Sequence, residues 1–483
     1  MKIQDIDVES TIESVKQSLK EEKGLSPALR SSLEVLLLLV GLLLNRITLN
    51  GSTSSIPPSQ DPNRDKKESK PRASRKPGGQ KGHKGITLEP VAEPDEIVPI
   101  KIDKRTIPKG VKYEEVSYES RQVFDIKICT VVTEYRAQIL EGSDGYQYTA
   151  PFPAGVLARA QYGNTVKVQA VYLSQKQLIP YERVHEQFAD QFLMPLSTGT
   201  IHNFNRKAFD MLEEYERWVK YELTNSTLLH VDETGINING NRHWLHCASN
   251  LKFTYYYPHE RRGTEAMNEI DILPHFTGVL CHDHWKPYYT YLFCLHSLCN
   301  AHHLRELQRA WEQDKQAWAK TMRQFLIELN AAVDEAQGKL DPDEATRWYA
   351  RYRRITKKAQ IECPAPTDNR RKGASGRIKR SKSRNLLERL IKYEDDVLRF
   401  MSDAIVPFTN NLGENDIRMT KVQQKISGCF RSMDGALISC RIRGYLSTCR
   451  KNGVSATDAL TMLFDGQMPS FISDTLKSQA QAA

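Results

Sequence analysis

The spacing of apolar positions changes character several times along the chain. Residues 9–22 read as a polar helix that breaks at Gly24. Ser26 and Pro27 then open a second helix, with Ser as N-cap and Pro at the first helical position. From residue 35 to residue 44 that helix is apolar on every face, which a lone surface helix is not; burial in a core and self-association with a second copy both account for it. Residues 52–85 are rich in Ser, Pro, Lys and Gly and mark a linker. Residues 86–160 alternate short apolar and polar runs, at 98–100, 126–128 and 130–132, which predicts a small β-rich module. Residues 165–222 are helical again. Pro180 opens one helix, and a turn at residues 196–200 precedes another that runs to about Leu223. Such a pair either packs plainly or reads a DNA groove.

After Asn225 the period shortens toward two. Residues 228–231 form a short apolar strand ending in Asp232-Glu233-Thr234-Gly235. Asn239-Gly240 makes a hairpin turn, and further strands are expected at 243–248 and 252–257. A helix over 264–270 precedes a fourth strand, 278–282, which delivers Asp283. A fifth strand, 295–299, leads into a helical stretch over 302–352, and helices follow at 385–401 and 410–426. Three meandering strands, a helix, a strand, a helix and a strand is the order of an α/β, ribonuclease-H-like core, with a helical insertion before its last helix. The expected organisation is an N-terminal helical, self-associating segment (1–50), a basic flexible linker (51–85), the β-rich module (86–160) and a helical DNA-binding domain (161–224). The core follows in two parts (225–303 and 401–465) around the insertion (304–400), and a tail closes the chain (466–483).

Composition narrows the class. The 483 residues are 40% apolar and 26% charged, as in a globular protein. The longest apolar run holds ten residues, where a spanning helix needs about 20. No charged-then-apolar segment with a cleavage site opens the sequence, so a cytoplasmic protein away from membranes is expected. Nine Cys in no disulfide spacing suit a reducing compartment. The net charge of +9 is concentrated in two stretches. Residues 61–85 hold nine Lys/Arg, Lys76 and Lys81 among them, against three acids. Residues 369–385 hold eight and no acid, including Arg370, Arg371, Lys372, Arg377, Lys379 and Arg380. Two flexible basic segments on a mildly acidic body point to a polyanion such as nucleic acid.

The candidate chemistry is carboxylate chemistry. Asp232 ends the first strand and Asp283 follows the fourth, so neighbouring strands would bring both to one sheet edge. Two Asp and one acid from a later helix can hold two Mg²⁺ or Mn²⁺ roughly 4 Å apart on a phosphodiester. Glu414 is the candidate third acid, with Arg418, Lys421 and Lys425 stacked along its helix face as phosphate contacts or as a surface ion-pair row. Glu233 should point to the opposite face of the strand and be solvated. Cys281, His282, His284, Cys294, His296, Cys299, His302 and His303 crowd one stretch. For Cys299 and His302 a structural or metal-neighbouring job is expected ahead of zinc ligation.

Taken in order, Asp232-Glu233-Thr234-Gly235, Asp283-His284-Trp285-Lys286, Cys299-Asn300-Ala301-His302 and Asn410-Asn411-Leu412-Gly413-Glu414 resemble bacterial DDE transposases of the insertion-sequence family sixty-six type. The resemblance extends from about Lys76 to Phe464 and implies the triad Asp232, Asp283 and Glu414. It further implies binding of terminal inverted repeats in double-stranded DNA, exposure of a 3′-hydroxyl by hydrolysis and its joining to target DNA. Lys421 falls where many such enzymes keep a DNA-contacting Lys. A homodimer or higher oligomer is implied, and accessory proteins of the same element are candidate partners. One feature departs from the pattern: residues 86–160 contain only Cys129, so the usual zinc ribbon is not expected. A catalytically silent DNA-binding relic or repressor, and a nuclease without strand transfer, are the alternatives.

Overall fold

The computed structural model describes residues 2–3, 6–22, 24–48, 88–366 and 380–482. Near the N-terminus, α1 (Val8–Glu21) precedes α2 (Pro27–Thr48), whose first turn is capped by Ser26: its Oγ accepts from the Leu29 N–H at 3.3 Å. Val35, Leu36, Leu38, Leu39 and Leu43 of α2 are each more than half exposed, so among the described residues nothing buries these side chains. No described helix is long and apolar enough to cross a membrane.

Between residues 88 and 160 the described backbone makes one short hairpin, Ile139–Glu141 against Gln147–Thr149, and otherwise runs without strand pairing. The strands expected at 98–100, 126–128 and 130–132 are not formed. Val98, Ile100, Ile126, Val131 and Val132 are all at least 70% exposed, so their alternation meets no apolar surface to bury against.

The centre of the fold is a mixed five-stranded sheet. β1 (Leu228–Ile238), β2 (Asn241–Ser249) and β3 (Thr254–His259) form an antiparallel meander, and β4 (Val279–His282) and β5 (Leu295–Leu298) add in parallel. The order is β3-β2-β1-β4-β5. β1 continues well past residue 231 because Asn239 and Gly240 take φ of 48° and 80°, the left-handed pair that closes a two-residue hairpin. β4 meets the start of β1 closely. A Cβ on Gly278 would lie 2.6 Å from the carbonyl oxygens of Ser226 and Thr227, so only glycine fits. Its register pairs Leu228 with Val279 and His230 with Cys281. The ladder therefore ends just before Asp232 and Asp283.

Helices cover both sheet faces. Ahead of the sheet lie α3 (Asn164–Val171), α4 (Tyr181–Phe192), α5 (Thr198–Met211) and α6 (Glu213–Thr224), and α7 (Thr264–Ile270) joins β3 to β4. After β5 come α8 (Asn300–Glu312), α9 (Ala317–Glu335), α10 (Pro342–Glu362), α11 (Lys382–Lys392) and α12 (Glu394–Leu398). The chain finishes with α13 (Asn411–Ile426), α14 (Met433–Lys451), α15 (Ala456–Phe464) and α16 (Ser470–Ala482). The single helical stretch expected over 302–352 is broken where Lys315 and Gln337 take φ of 55° and 58°.

Three apolar clusters result. Leu229, Val231 and Leu280 face the largest, built with Phe188, Ile201, Trp218 and Tyr445 from the helices before and after the sheet. Val279 and Leu298 face a second, made by α8–α12 around Phe325, Tyr352 and Leu387. β4 is thus apolar on both faces, as a central parallel strand must be. Ile236, Ile238, Leu245 and Cys247 face the third and smallest, which seats Ile417 of α13 and Ala436 and Cys440 of α14.

Candidate functional site

Alternation along β1 sends Leu229, Val231 and Glu233 to one face and Asp232, Ile236 and Ile238 to the other, where α13 lies. Asp232 stands opposite Cys247 on β2. Asp283 follows β4 directly, its Oδ1 accepting the Trp285 N–H at 3.0 Å while His284 turns the chain at a φ of 71°. Glu414 sits in the first turn of α13.

Asn410, 2% exposed, sets where that turn falls. Its Nδ2 donates to the Val231 carbonyl at 2.8 Å, and its Oδ1 lies 2.7 Å from His230 Nδ1. Its backbone N–H donates to Cys299 Sγ at 3.2 Å, and its carbonyl accepts the Glu414 N–H at 3.1 Å. One side chain therefore ties the start of α13 to β1 beside Asp232, and its own backbone ties it to the residue after β5. Helical periodicity does not signal this role; in the sequence Asn410 stands only as the start of the helix expected over 410–426 and of the motif that ends in Glu414.

The electrostatics of the cluster are one-sided. Burial raises the Asp232 pKa well above the usual carboxylate range, and the negative charges of Glu233, Asp283 and Glu414 push it the same way; the Glu233 N–H, donating at 2.9 Å, opposes them. Among the described residues no Arg or Lys pairs with Asp232, Asp283 or Glu414. Asp232, Asp283 and Glu414, all half-buried, thus offer oxygen donors with no cationic side chain beside them, a donor type that suits hard divalent ions. The donors that come within 4.8 Å of one another among the described residues are those of Cys299, His302 and Glu414; the three carboxylates do not converge that closely.

Glu233 departs from expectation. It is buried, not solvated: Arg262 donates to it through Nε at 2.8 Å and through a second guanidinium nitrogen, and the Tyr288 hydroxyl donates to its other oxygen. Arg262 is itself held between two rings, its guanidinium carbon 4.8 Å from the Trp244 centroid and 4.2 Å from that of Trp285. Burial and Asp283 raise the Glu233 pKa, while Tyr288 and Arg262 pull it down, with a net rise. Sequence reasoning missed this pairing because Arg262 and Tyr288 arrive from separate connections that only the folded sheet brings together.

The thiol and imidazole groups divide. His282 contacts His296 at 3.1 Å and His303 contacts Asn300 at 3.0 Å, away from the carboxylates. Cys299 and His302, at the start of α8, face Glu414: Sγ lies 3.8 Å and Nδ1 3.7 Å from Oε1. Burial pushes the Cys299 thiol up to about 11. Burial, then Arg305, hold His302 below its usual value against the pull of Glu414.

Of the basic candidates, Arg418 and Lys425 are exposed on α13. Lys421 is turned inward, donating to the Gly235 carbonyl of β1 at 2.5 Å. Arg380 pairs with Glu388 at 2.7 Å. Lys76, Lys81, Arg370, Arg371, Lys372, Arg377 and Lys379 lie outside the described residues.

With this geometry in view, comparison with known proteins defines the class. The profile described as Transposase IS66 family matches residues 159–437, and the chain belongs to that family. The match contains Asp232, Asp283, Cys299, His302 and Glu414 and ends within α14. Over 70 residues the chain is also 36% identical to the protein named "Uncharacterized protein y4jO" of Sinorhizobium fredii (strain NBRC 101917 / NGR234). That alignment covers 14% of this chain and 22% of the relative, so the chain spans about a fifth of that protein's length.

Proposed function

We propose that the chain is a DDE-type DNA transposase that binds the terminal inverted repeats of its own element, cleaves at the 3′ ends and joins them to target DNA. The observation that supports this reading is the placing of three acids without an Arg or Lys partner among the described residues: Asp232 on β1, Asp283 directly after the neighbouring strand β4 and Glu414 in the first turn of α13, which packs on the Asp232 face of β1. The strand order β3-β2-β1-β4-β5, with α8–α12 between the last strand and α13, supports a ribonuclease-H-like core carrying a helical insertion. Residues 225–303 and 401–465 are the two parts of that core in this reading, and 304–400 the insertion.

Two Mg²⁺ or Mn²⁺ ions held by these acids would polarise the scissile phosphodiester and activate first water and then the 3′-hydroxyl. Asn410 holds the first turn of α13, which carries Glu414, against β1. The Lys421 hydrogen bond to Gly235 fixes α13 against β1. Arg418 and Lys425 lie further along the same helix face and offer contacts to phosphates of the bound strand. The helices of 161–224 and the basic stretches at 51–85 and 370–380 are assigned to DNA, and the exposed leucines of α2 in segment 1–50 to self-association. The tail, 466–483, is given no role.

The test is incubation of the full chain with an inverted-repeat duplex and Mn²⁺. Nicking at the repeat end and joining to a target duplex are expected. Asp232→Asn or Glu414→Gln should lower both by about 10³-fold or more, the several kcal/mol a metal site contributes to the transition state. Unchanged cleavage in both variants overturns the assignment. Binding without cleavage by the unaltered chain would mark a silent repressor, and cleavage without joining a nuclease.

A further inference from the structure

Glu414 faces two neighbours that the proposed reaction does not use. We propose that Cys299, His302 and Glu414 form a second metal site, selective for an ion of the Zn²⁺ class, which when filled withdraws Glu414 from the Asp232 and Asp283 cluster. The inference rests on Glu414 being the third acid of that cluster.

Three donor atoms, a sulfur, an imidazole nitrogen and a carboxylate oxygen, lie within 4.8 Å of one another. A tetrahedral ion with bonds of about 2.3 Å to sulfur and about 2.0 Å to nitrogen and oxygen sets its ligand atoms about 3.3–3.5 Å apart. The observed 3.8 Å from Sγ to Oε1 and 3.7 Å from Nδ1 to Oε1 need a few tenths of an ångström of closure on those two edges, and the sulfur-to-imidazole edge lies within 4.8 Å. His302 Nδ1 is buried and makes no hydrogen bond, and the group it faces is Glu414 Oε1 at 3.7 Å. Cys299 Sγ already accepts the Asn410 N–H at 3.2 Å, the kind of outer contact that orients and stabilises a metal-bound thiolate.

The chemistry of the donors separates this group from the one beside it. Asp232 and Asp283 offer oxygen alone and suit hard ions, whereas thiolate and imidazole favour zinc. Three protein ligands leave the fourth tetrahedral position to water. Glu414 is common to both groups. With Oε1 bound between Cys299 and His302, its carboxylate is held toward α8, so zinc acts as an inhibitor of the Mg²⁺ or Mn²⁺ reaction.

The test uses Co²⁺ as a spectroscopic stand-in, added to the metal-free full chain with a non-thiol reductant. One equivalent should give thiolate-to-cobalt charge-transfer absorption and the intense visible bands of tetrahedral Co²⁺, both bleached by one equivalent of Zn²⁺. Cys299→Ser should abolish the charge-transfer band. His302→Gln should keep it but weaken Co²⁺ binding by at least about 10–100-fold. Asp232→Asn should leave the spectrum intact. One equivalent of Zn²⁺ should also suppress Mn²⁺-dependent cleavage. An octahedral spectrum without charge transfer, or a band that survives in Cys299→Ser, overturns the second site and leaves the triad standing. Conversely, cleavage indifferent to Asp232→Asn and Glu414→Gln removes the triad while the cobalt band remains.

Discussion

Asp232 and Glu233 are adjacent on one strand, yet the two faces of the sheet treat their charges in opposite ways. On the Glu233 face the protein supplies the counter-charge: Arg262, stacked between Trp244 and Trp285, and the Tyr288 hydroxyl both donate to the carboxylate. Asp232 receives no such cation among the described residues: burial, then the negative charges of Glu233, Asp283 and Glu414, all act against its ionised form. A buried carboxylate with its own cation is complete and holds structure together. A set of acids without one is completed by a cation from outside in the reading proposed above. The contrast separates an acid that has its own counter-charge from those proposed to hold metal, where residue type and position in the strand cannot.

The largest effect that sharpens this contrast is expected on the compensated face. Arg262→Ala leaves Glu233 buried without its cation. A fully buried pair loses about 3–5 kcal/mol on such truncation; because the Arg262 side chain is 36% exposed, about 2–3 kcal/mol is expected here, read from urea unfolding at neutral pH. No loss of stability would mean that Glu233 is held neutral and that the two faces do not differ as described.

Asp232→Asn should act in the opposite sense. Without divalent ions it relieves repulsion and should stabilise the fold by about 1 kcal/mol, raising the thermal midpoint by about 2–4 °C. The pH dependence follows. The folded pKa of Asp232 lies above its unfolded value, so the folded state retains a proton that the unfolded state releases. Metal-free stability should therefore fall as pH rises from about 3.9, the unfolded value, through the raised folded value, and the Asn variant should lose that part of the slope. A variant with the original slope, or one less stable than the parent, breaks the comparison.

The smallest change belongs to Glu233→Gln. The amide oxygen still accepts from one of its two donors and no charge is left buried, so a shift within about 0.5 kcal/mol is expected by calorimetry. A larger loss would show the Arg262 pair to be worth more than its half-exposed setting implies.

How far the chain could be read in advance varied with the kind of signal. The five strands and their hairpin were legible from alternation and from Asn239-Gly240, because local steric preference and a one-sided core act on neighbouring residues. The cap at Ser26 was legible for the same reason, its Oγ accepting the Leu29 N–H. Residues 88–160 misled. Alternation states which side chains could share a buried face, and Ile100, at 94% exposed, has no such face to share.

The sequence by itself determined most of the elements, the position of Asp283 after β4 and the placing of Glu414 early in a helix, since each depends on residues close in the chain; the strand end expected at Asp232 did not form, because β1 runs on to Ile238. Tertiary structure alone decided the rest. It made Asn410 the clamp between α13 and β1, buried Glu233 against Arg262 and Tyr288, drew Lys421 inward to Gly235, and turned Cys299 and His302 toward Glu414. The reason is physical: the burial and charge that give a carboxylate its character come from atoms distant in sequence, and only packing brings them within a few ångströms.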